Sequence, residues 1–589
     1  MASKPTTNHR YERPVNFATS PLLASKTPLW RSKLLLVAFG LAFMGLGARA
    51  AYVQVIHQNF YQKQGEMRFA RTLDVPATRG RLLDRNNQVL AANVPALSVW
   101  AIPDDVNASL QGHPEKLSDL SHLLGMSVSE LQQKLGQEDR SFVWLKRRLD
   151  NDLSKSIQAL QIEGLYTRTE PKRQYPEGEA AAQLTGSINN DGKGIEGLEL
   201  TFNSDLSGKS GSRRVIKDRM GRVVEDIGDQ VLASDGHDVH LTIDNKIQFF
   251  AYQKLKEAVL DQHAKSGSAV VLDAQTNEVL ALANFDTDKS SGLRNRALSD
   301  SFEPGSVMKP LTVSLALERK LVTPHTIIQT APGSIIVQGA KISDAEAHEG
   351  LLSVERIIQM SSNVGTVKIA LQMPAQAMWD FYSQVGLGQK PALPFPGIVG
   401  GKLRNFKTWR PIEQATMSYG YGLSVSLFQL AEAYGVLARG GEVIPPRLIQ
   451  NSKADEVSAE PVQRVMSAET AGEMRHMLQM VTSEGGTAPQ AQTEGYTVGG
   501  KTGTAYKHEG RGYDTRKYRS TFVGIAPIDH PRIVVAVSID EPSNGHHFGG
   551  EVAGPVFSKT VGETLRILGV APDRSVKPQI AIKATPENT

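Results

Sequence analysis

Apolar and polar positions change character several times along this chain, and the changes divide it into regions. Leu34 to Ala48 is a run of purely apolar or glycine character, and Ala50 to Ile56 extends it beyond a single Arg49. With the Arg49 stem reaching toward the interface, the stretch 34–56 is long enough to cross a bilayer, which takes about 20 residues. From there to position 235 the pattern is mixed, extended and polar, with frequent Gly, Asp and Asn. Its clearest helices are predicted near Pro114–Leu123 and Ser127–Leu135. At His237–Ile243 the pattern turns to alternation, with Val239, Leu241 and Ile243 against polar neighbours, which predicts a strand. Asp244 then stands at the N-cap of a helix running from Lys246 to about Lys265. Strands follow at Ser268–Leu272 and Glu278–Leu282 around the turn Asp273–Asn277, and a mostly helical middle comes after them. Three antiparallel strands are predicted last, at Tyr496–Tyr506, Thr521–Ala526 and Arg532–Ile539.

This order predicts an α+β protein with a single-pass membrane anchor, a mixed and extended region, and a domain whose one antiparallel sheet is faced by helices. The expected boundaries are a tail over 1–33, a membrane helix over 34–56, the mixed region over 57–235, the sheet domain over 236–572, and a polar, Pro-containing, disordered end over 573–589.

Charge orients the anchor. Lys4, Arg10, Arg13, Lys26, Arg31 and Lys33 precede the apolar run against a single acidic residue, Glu12. The positive-inside rule then leaves everything before Leu34 in the cytoplasm and everything after Ile56 outside. Ala48-Arg49-Ala50 has the look of a signal-peptidase site, but the leader before the apolar run is long and Arg49 sits badly in such a site, so a retained anchor is the better reading. A net charge of +4 on 589 residues gives no reason to expect nucleic acid as a partner. The chain has no cysteine, which excludes disulfides, thiolate metal sites and cysteine nucleophiles.

Candidate chemistry rests on three short motifs. Ser306-Val-Met-Lys309 precedes Pro310, a residue tolerated only in a helical first turn, and the spacing of Val307, Leu311 and Leu315 predicts a helix buried on that face. Ser306 is thus expected at a helix N-terminus, where unpaired N–H groups and the positive dipole end favour developing negative charge. Lys309, on the same face, can take the serine proton only if burial or a nearby cation keeps its amine neutral. Ser361-Ser362-Asn363 falls in a helix-rich stretch over Val354–Met373 and offers a second hydroxyl to relay protons and an amide to orient the lysine or the substrate. Lys501-Thr502-Gly503-Thr504 is predicted in a strand, where a lysine and hydroxyls on one edge can hold a carboxylate and Gly503 admits a close approach. The N–H groups of Ser306 and Thr504 are candidates for a two-donor oxyanion hole.

Other patterns carry less. Gly495 to Thr502 matches the phosphate-binding loop letter for letter, but β-type alternation follows it where a helix should open. Gly192-Lys-Gly194-Ile-Glu-Gly197 has no strand before it and reads as a turn. His237/His240 and His546/His547 lack the further ligands a metal site needs, so no metal is expected.

S-x-x-K at Ser306, S-x-N at Ser361 and K-T-G at Lys501 occur in that order along the chain. This resembles the penicilloyl-serine transferases, that is, the penicillin-binding proteins and serine β-lactamases. The resemblance extends to residues 57–235, for which it implies an elongated mixed α/β pedestal domain. Arg79-Gly-Arg-Leu-Leu-Asp84-Arg85, Arg173-Gln-Tyr-Pro-Glu-Gly178, Gly194-Ile-Glu-Gly197-Leu-Glu199 and Lys217-Asp218-Arg219-Met-Gly221-Arg222 look like motifs of class B penicillin-binding proteins. Length, tail and single anchor are closest to the division-specific type, as is Tyr419-Gly-Tyr-Gly422 followed by Gln429-Leu430-Ala431. Ser426-Leu427 stands where that family usually reads Thr-Pro.

The resemblance implies a serine D,D-transpeptidase and β-lactam target with no cofactor, in which Ser306 attacks the penultimate D-Ala carbonyl of a peptidoglycan stem peptide. It also implies Lys309 as base, Ser361 as proton relay, Asn363 as a substrate contact, and Lys501, Thr502, Gly503 and Thr504 as the carboxylate site. Division proteins, including a SEDS-type glycosyltransferase, are implied partners, and the septal inner membrane the implied location. A D,D-carboxypeptidase or β-lactamase would use the same residues but needs neither pedestal nor anchor. A β-lactam sensor needs an intracellular output domain, for which the segment before Leu34 is too short.

Overall fold

The computed structural model describes the chain apart from residues 1–27, 62–63, 65–69, 137–141, 151, 218–222, 227–229, 289, 291, 346–349, 451–461, 510–511 and 576–589. The chain divides into two compact units, residues 1–76 with 210–233 and residues 77–209 with 234–589.

In the first unit the predicted span forms a helix over Leu29–Ala51, continued by one π-helical turn over Tyr52–Ile56. It begins ahead of the apolar run, because Pro28 sits at the N-cap and nothing from Leu29 onward breaks the helix. None of its side chains is buried, and its mean hydropathy of 1.9 over an 18-residue window makes it long and apolar enough to cross a membrane. A three-stranded sheet in the same unit pairs Ala70–Val75 with Gly211–Lys217 and then Val223–Asp226, all antiparallel.

The second unit holds the two larger sheets. In one of them Val89–Ala101 runs between Val143–Leu149 and Leu165–Gln174, pairing antiparallel with each. One face of these strands buries Leu97, Val99, Ala101, Val143 and Leu145 against helices that include Pro114–Leu124 and Val128–Leu135. Ser127 caps the latter by accepting the Glu130 N–H at 3.2 Å.

A separate buried ion cluster joins three of the pedestal motifs. Glu199, fully buried, receives Arg79 Nε and Arg173 Nε at 2.7 Å each. The remaining donors of Arg79 reach Ser207 Oγ, Asn203 Oδ1 and the Glu199 and Gly192 carbonyls, and Arg173 Nη1 reaches the Gly80 carbonyl. Residues 218–222 of the fourth motif lie outside the described residues.

The other large sheet has five antiparallel strands in the order Val279–Asp286, Ser266–Asp273, Ile533–Asp540, Gly512–Ala526, Gly499–Glu509. Every residue of Ser266–Asp273 and Ile533–Asp540 is buried, so both faces of the sheet centre are covered. The helices Asn245–Asp261 and Gly554–Ile567 pack on each other and on the sheet, as do Leu427–Ala438 and Ala468–Thr482.

Several expectations shift. His237–Ile243 is a strand only at Val239–His240, which pairs in parallel with Leu82–Leu83, while Leu241 bridges to Ile449. Asp244 does cap the next helix, accepting from Lys246 N and Ile247 N, but the helix stops at Asp261. His263 takes φ +47°, and the Lys265 N–H is bonded to the Asp540 carbonyl, so the sheet claims the residues that would have continued it. Order persists past residue 572, since the Asp573 carboxylate accepts the Thr497 N–H at 2.7 Å, whereas residues 576–589 lie outside the described residues. Ser426 caps Leu427–Ala438 in a reciprocal box with Gln429, which gives this serine the helix-starting role at that position.

Candidate active site

The edge strand Gly499–Glu509 and the turn before the helix Lys309–Glu318 form the site. Ser306 lies in one turn of 3₁₀ helix, Gly305–Met308, and the α-helix proper begins only at Lys309 with Pro310 in its first turn. The sequence predicted the helix but not this tighter entry. In a 3₁₀ turn residues three apart eclipse one another, which keeps Ser306 and Lys309 on one face.

The turn is held from two sides. The Gly305 N–H donates to the Gly420 carbonyl at 3.1 Å, and the buried Tyr434 hydroxyl donates to the Val307 carbonyl at 2.9 Å. Gly503 permits the strand to approach. A Cβ there would stand 2.8 Å from the Pro304 carbonyl oxygen and 3.2 Å from Val307 Cγ1. K-T-G, near the end of the domain's sequence, is thereby brought against the residues flanking Ser306, near its start.

Lys309 is 1 % exposed. Its Nζ donates to Ser361 Oγ at 3.1 Å and to the Ser361 carbonyl at 2.5 Å. Burial pushes its pKa down to about 7, against an opposing pull from the Asp344 carboxylate. Lys501 is fully buried, its Nζ resting on Thr502 Oγ1 at 3.1 Å. Burial drives its pKa well below the ordinary lysine value, and the positive charge of Lys309 pushes the same way. The two lysines therefore feel each other.

Ser361-Ser362-Asn363 spans a break between two helices. The helices Val354–Gln359 and Asn363–Ala370 are separate, and Ser361 occupies the break at φ +60°. This reversal turns both its hydroxyl and its carbonyl onto Lys309. Asn363 Nδ2 donates to the Ser343 carbonyl at 2.7 Å rather than orienting the lysine. Thr504 Oγ1 accepts the Gly549 N–H at 3.0 Å, and Thr502 Oγ1 lies 3.3 Å from Thr487 Oγ1.

Sequence reading missed Asp344. Its carboxylate takes the Ser362 hydroxyl and the Val364 N–H, each at 2.9 Å, pinning the start of the second helix while facing Lys309. Glu303 was also missed. It accepts from Gly422 N and from the Tyr513 hydroxyl at 2.8 Å each, tying the loop at 419–422 to the far end of the K-T-G hairpin. Neither residue carries a local signal, because each acts on groups remote from it in the chain.

The phosphate-loop match is resolved, since Lys501 and Thr502 lie within a continuous strand and no helix opens there. Gly192–Gly197 is a turn leading into a short helix that starts at Gly197. Among the described residues no group of three or more His, Asp or Glu side chains is placed to hold a metal.

Comparison with known proteins gives the same assignment. Residues 267–562 match the model of the penicillin-binding protein transpeptidase domain, and residues 74–241 that of the penicillin-binding protein dimerisation domain. The chain is 40 % identical to the probable peptidoglycan D,D-transpeptidase PenA of Neisseria meningitidis over 92 % of its own length and 94 % of the relative's. It is 36 % identical to the peptidoglycan D,D-transpeptidase FtsI of Escherichia coli over 92 % and 93 %. Among solved structures, the transpeptidase domain of Burkholderia pseudomallei penicillin-binding protein 3 is 54 % identical, with a TM-score of 0.53, covering 57 % of this chain and 98 % of that one. With both domain models matched and relatives aligned along almost all of their length, the chain belongs to the penicillin-binding protein family, among its peptidoglycan D,D-transpeptidases.

Proposed function

We propose that this transpeptidase cross-links peptidoglycan at the division septum through an acyl-enzyme on Ser306. The observation that carries the site assignment is the buried Lys309, whose pKa of about 7 leaves much of it neutral at neutral pH. Lys309 Nζ takes the Ser306 proton as Oγ attacks the penultimate D-Ala carbonyl of a donor stem. The N–H groups of Ser306 and Thr504 receive the oxyanion. As the C–N bond breaks, the proton passes from Lys309 through Ser361 Oγ to the departing D-Ala amine, a path its 3.1 Å contact supports. An amine of a neighbouring stem then attacks the ester, yielding the cross-link and restoring the Ser306 hydroxyl.

Lys501, Thr502 and Thr504 hold the donor's terminal carboxylate. An arriving anion supplies a counter-charge to the buried Lys501 and so favours its charged form. Gly503 keeps the strand close enough for this, and Asn363, with its amide nitrogen tied to Ser343, directs its oxygen to the donor peptide. A β-lactam acylates the same serine. In this reading the helix from Leu29 anchors the chain in the inner membrane, with residues 1–33 on the cytoplasmic side and both domains periplasmic. Division proteins, a SEDS-type glycosyltransferase among them, are the partners.

The test is labelling of membranes with a fluorescent penicillin. A band near 64.1 kDa is expected in the wild type and none with Ser306→Ala. Equal labelling of the two would remove Ser306 as the nucleophile.

A further inference from the structure

We propose that the pedestal sheet formed by Val89–Ala101, Val143–Leu149 and Leu165–Gln174 is a second binding surface, for a peptidoglycan strand bearing uncross-linked stems. The proposal rests on the functional reading above for the identity of the polymer.

The face opposite the helices carries a row of aromatic rings. Trp100 pairs in register with Trp144 on one side and Tyr166 on the other. Trp100 stacks on Tyr166 at 4.4 Å and 20°, and Phe142 contacts both Trp100 and Trp144 at 5.1 Å. Phe142 and Tyr166 are 42 % and 39 % exposed. An apolar row of this kind is normally buried, and here a half-exposed sheet face holds it. The exposed ring surface of Phe142 and Tyr166 suits the C–H faces of pyranose sugars, which combine apolar surface with a polar rim.

Alongside, at the edge strand Val143–Leu149, lies a groove of about 400 Å³ in which three cations are fixed chiefly by carbonyl oxygens. Lys134 Nζ donates to the Leu145 carbonyl at 2.9 Å, Lys146 Nζ to the Gly125 carbonyl at 3.0 Å, and Arg148 Nη2 to the Asn190 carbonyl at 2.5 Å. Carbonyl oxygens hold these groups in place but leave their full charge. Among the described residues, the carboxylate paired with any of the three is Glu130, 4.0 Å from Lys134 and half exposed, too weak a contact to neutralise it. Arg148 adopts φ +61°, and its buried Nε has no hydrogen-bond partner. Arg147 differs, being paired with Glu170 at 2.9 Å, and it lies over the Trp144 ring at 5.1 Å, joining groove to aromatic row.

The combination selects the ligand. Rings alone would suit any apolar partner, and cations alone any anion. Sugar rings in series with carboxylate-bearing stems satisfy both at once, and such a strand is what a transpeptidase must draw from. Holding it on the pedestal would raise the local concentration of stems at the catalytic cleft.

The experiment uses the full-length Ser306→Ala protein in detergent, so that no covalent turnover intervenes. Binding is measured to uncross-linked glycan strands with intact stems, to the same strands with stems removed, and to poly-L-glutamate. Tyr166→Ala is expected to weaken both strand forms about tenfold, and Lys146→Gln to weaken only the stem-bearing form. Poly-L-glutamate is expected to bind at least tenfold less tightly than the strands. Phe142→Ala repeats the aromatic test should Tyr166→Ala fold poorly. Strand binding unchanged in these variants overturns the proposal, and so does poly-L-glutamate binding as tightly as strands, which would mark the face as a site for acidic protein. In the Ser306-containing background both variants are expected to label with penicillin at the wild-type rate. Absence of labelling in the wild type would instead defeat the functional reading.

Discussion

Two clusters of buried charge in this molecule are treated in opposite ways. In the pedestal, Arg79 and Arg173 enclose Glu199, and nearly every donor finds an acceptor. In the catalytic domain, Lys309 and Lys501 are buried just as deeply, yet among the described residues no carboxylate hydrogen-bonds either amine. The pedestal cluster is a fastener, because a satisfied ion network fixes which segments meet. The lysines are left unneutralised, since a buried amine without a bonded counter-ion sheds its proton readily, which makes Lys309 a base at neutral pH and leaves Lys501 open to an arriving anion. Burial alone does not mark a functional charge. What separates these two clusters is the bonded counter-ion.

Three substitutions test this contrast. The largest expected effect is that of Lys309→Met, which should slow penicillin acylation by about 10³-fold, within the range that general-base catalysis supplies. The same variant should melt higher than wild type at pH 7, with the gap closing as pH rises toward 10. The sign follows from a folded-state pKa lying below the unfolded one. The cost of the charged buried amine is full below about 7 and vanishes above the unfolded lysine value. A gap independent of pH would show that packing, not charge, sets it.

Glu199→Gln should do the reverse. It leaves two arginines facing each other and should destabilise the fold by about 3–5 kcal/mol, while the protein that remains folded acylates at the wild-type rate. A selective loss of acylation without a fall in melting temperature would erase the distinction between the two clusters. The smallest effect is expected of Asp344→Asn. Its amide oxygen can still accept the Val364 N–H while its NH2 donates to Ser362 Oγ, but the negative charge facing Lys309 is gone. The pH midpoint of acylation should therefore move down, since Asp344 raises the Lys309 pKa. An upward shift, measured by stopped-flow acylation, would mean that Asp344 acts on some other group.

Much of this was legible in the sequence where structure follows from local pattern. The three-residue spacing of Ser306 and Lys309, Pro310 in a first turn, the Asp244 cap and the strands of the catalytic sheet all follow from neighbours in the chain. What was hidden depends on distant contacts. The break at Ser361 reads as helix in composition, and only its φ of +60° turns its hydroxyl and carbonyl onto Lys309. Asp344 follows a short hairpin and acts on Ser362 and Val364, so no motif around it announces the role. The pairing of Arg79, Arg173 and Glu199 likewise joins distant positions, though the motifs containing them stood out individually. The aromatic row was invisible because Trp100, Trp144 and Tyr166 meet only through strand register.

The central claim, that a buried lysine without a bonded counter-ion activates Ser306, is tested most directly by the pH dependence of acylation. The rate constant for benzylpenicillin should be measured from pH 5 to 9 on the full-length protein in detergent. The account predicts a tenfold rise per pH unit at the acid end and a midpoint near 7, both absent in Lys309→Met. A rate that is flat across this range, or still climbing steeply at pH 9, would contradict it.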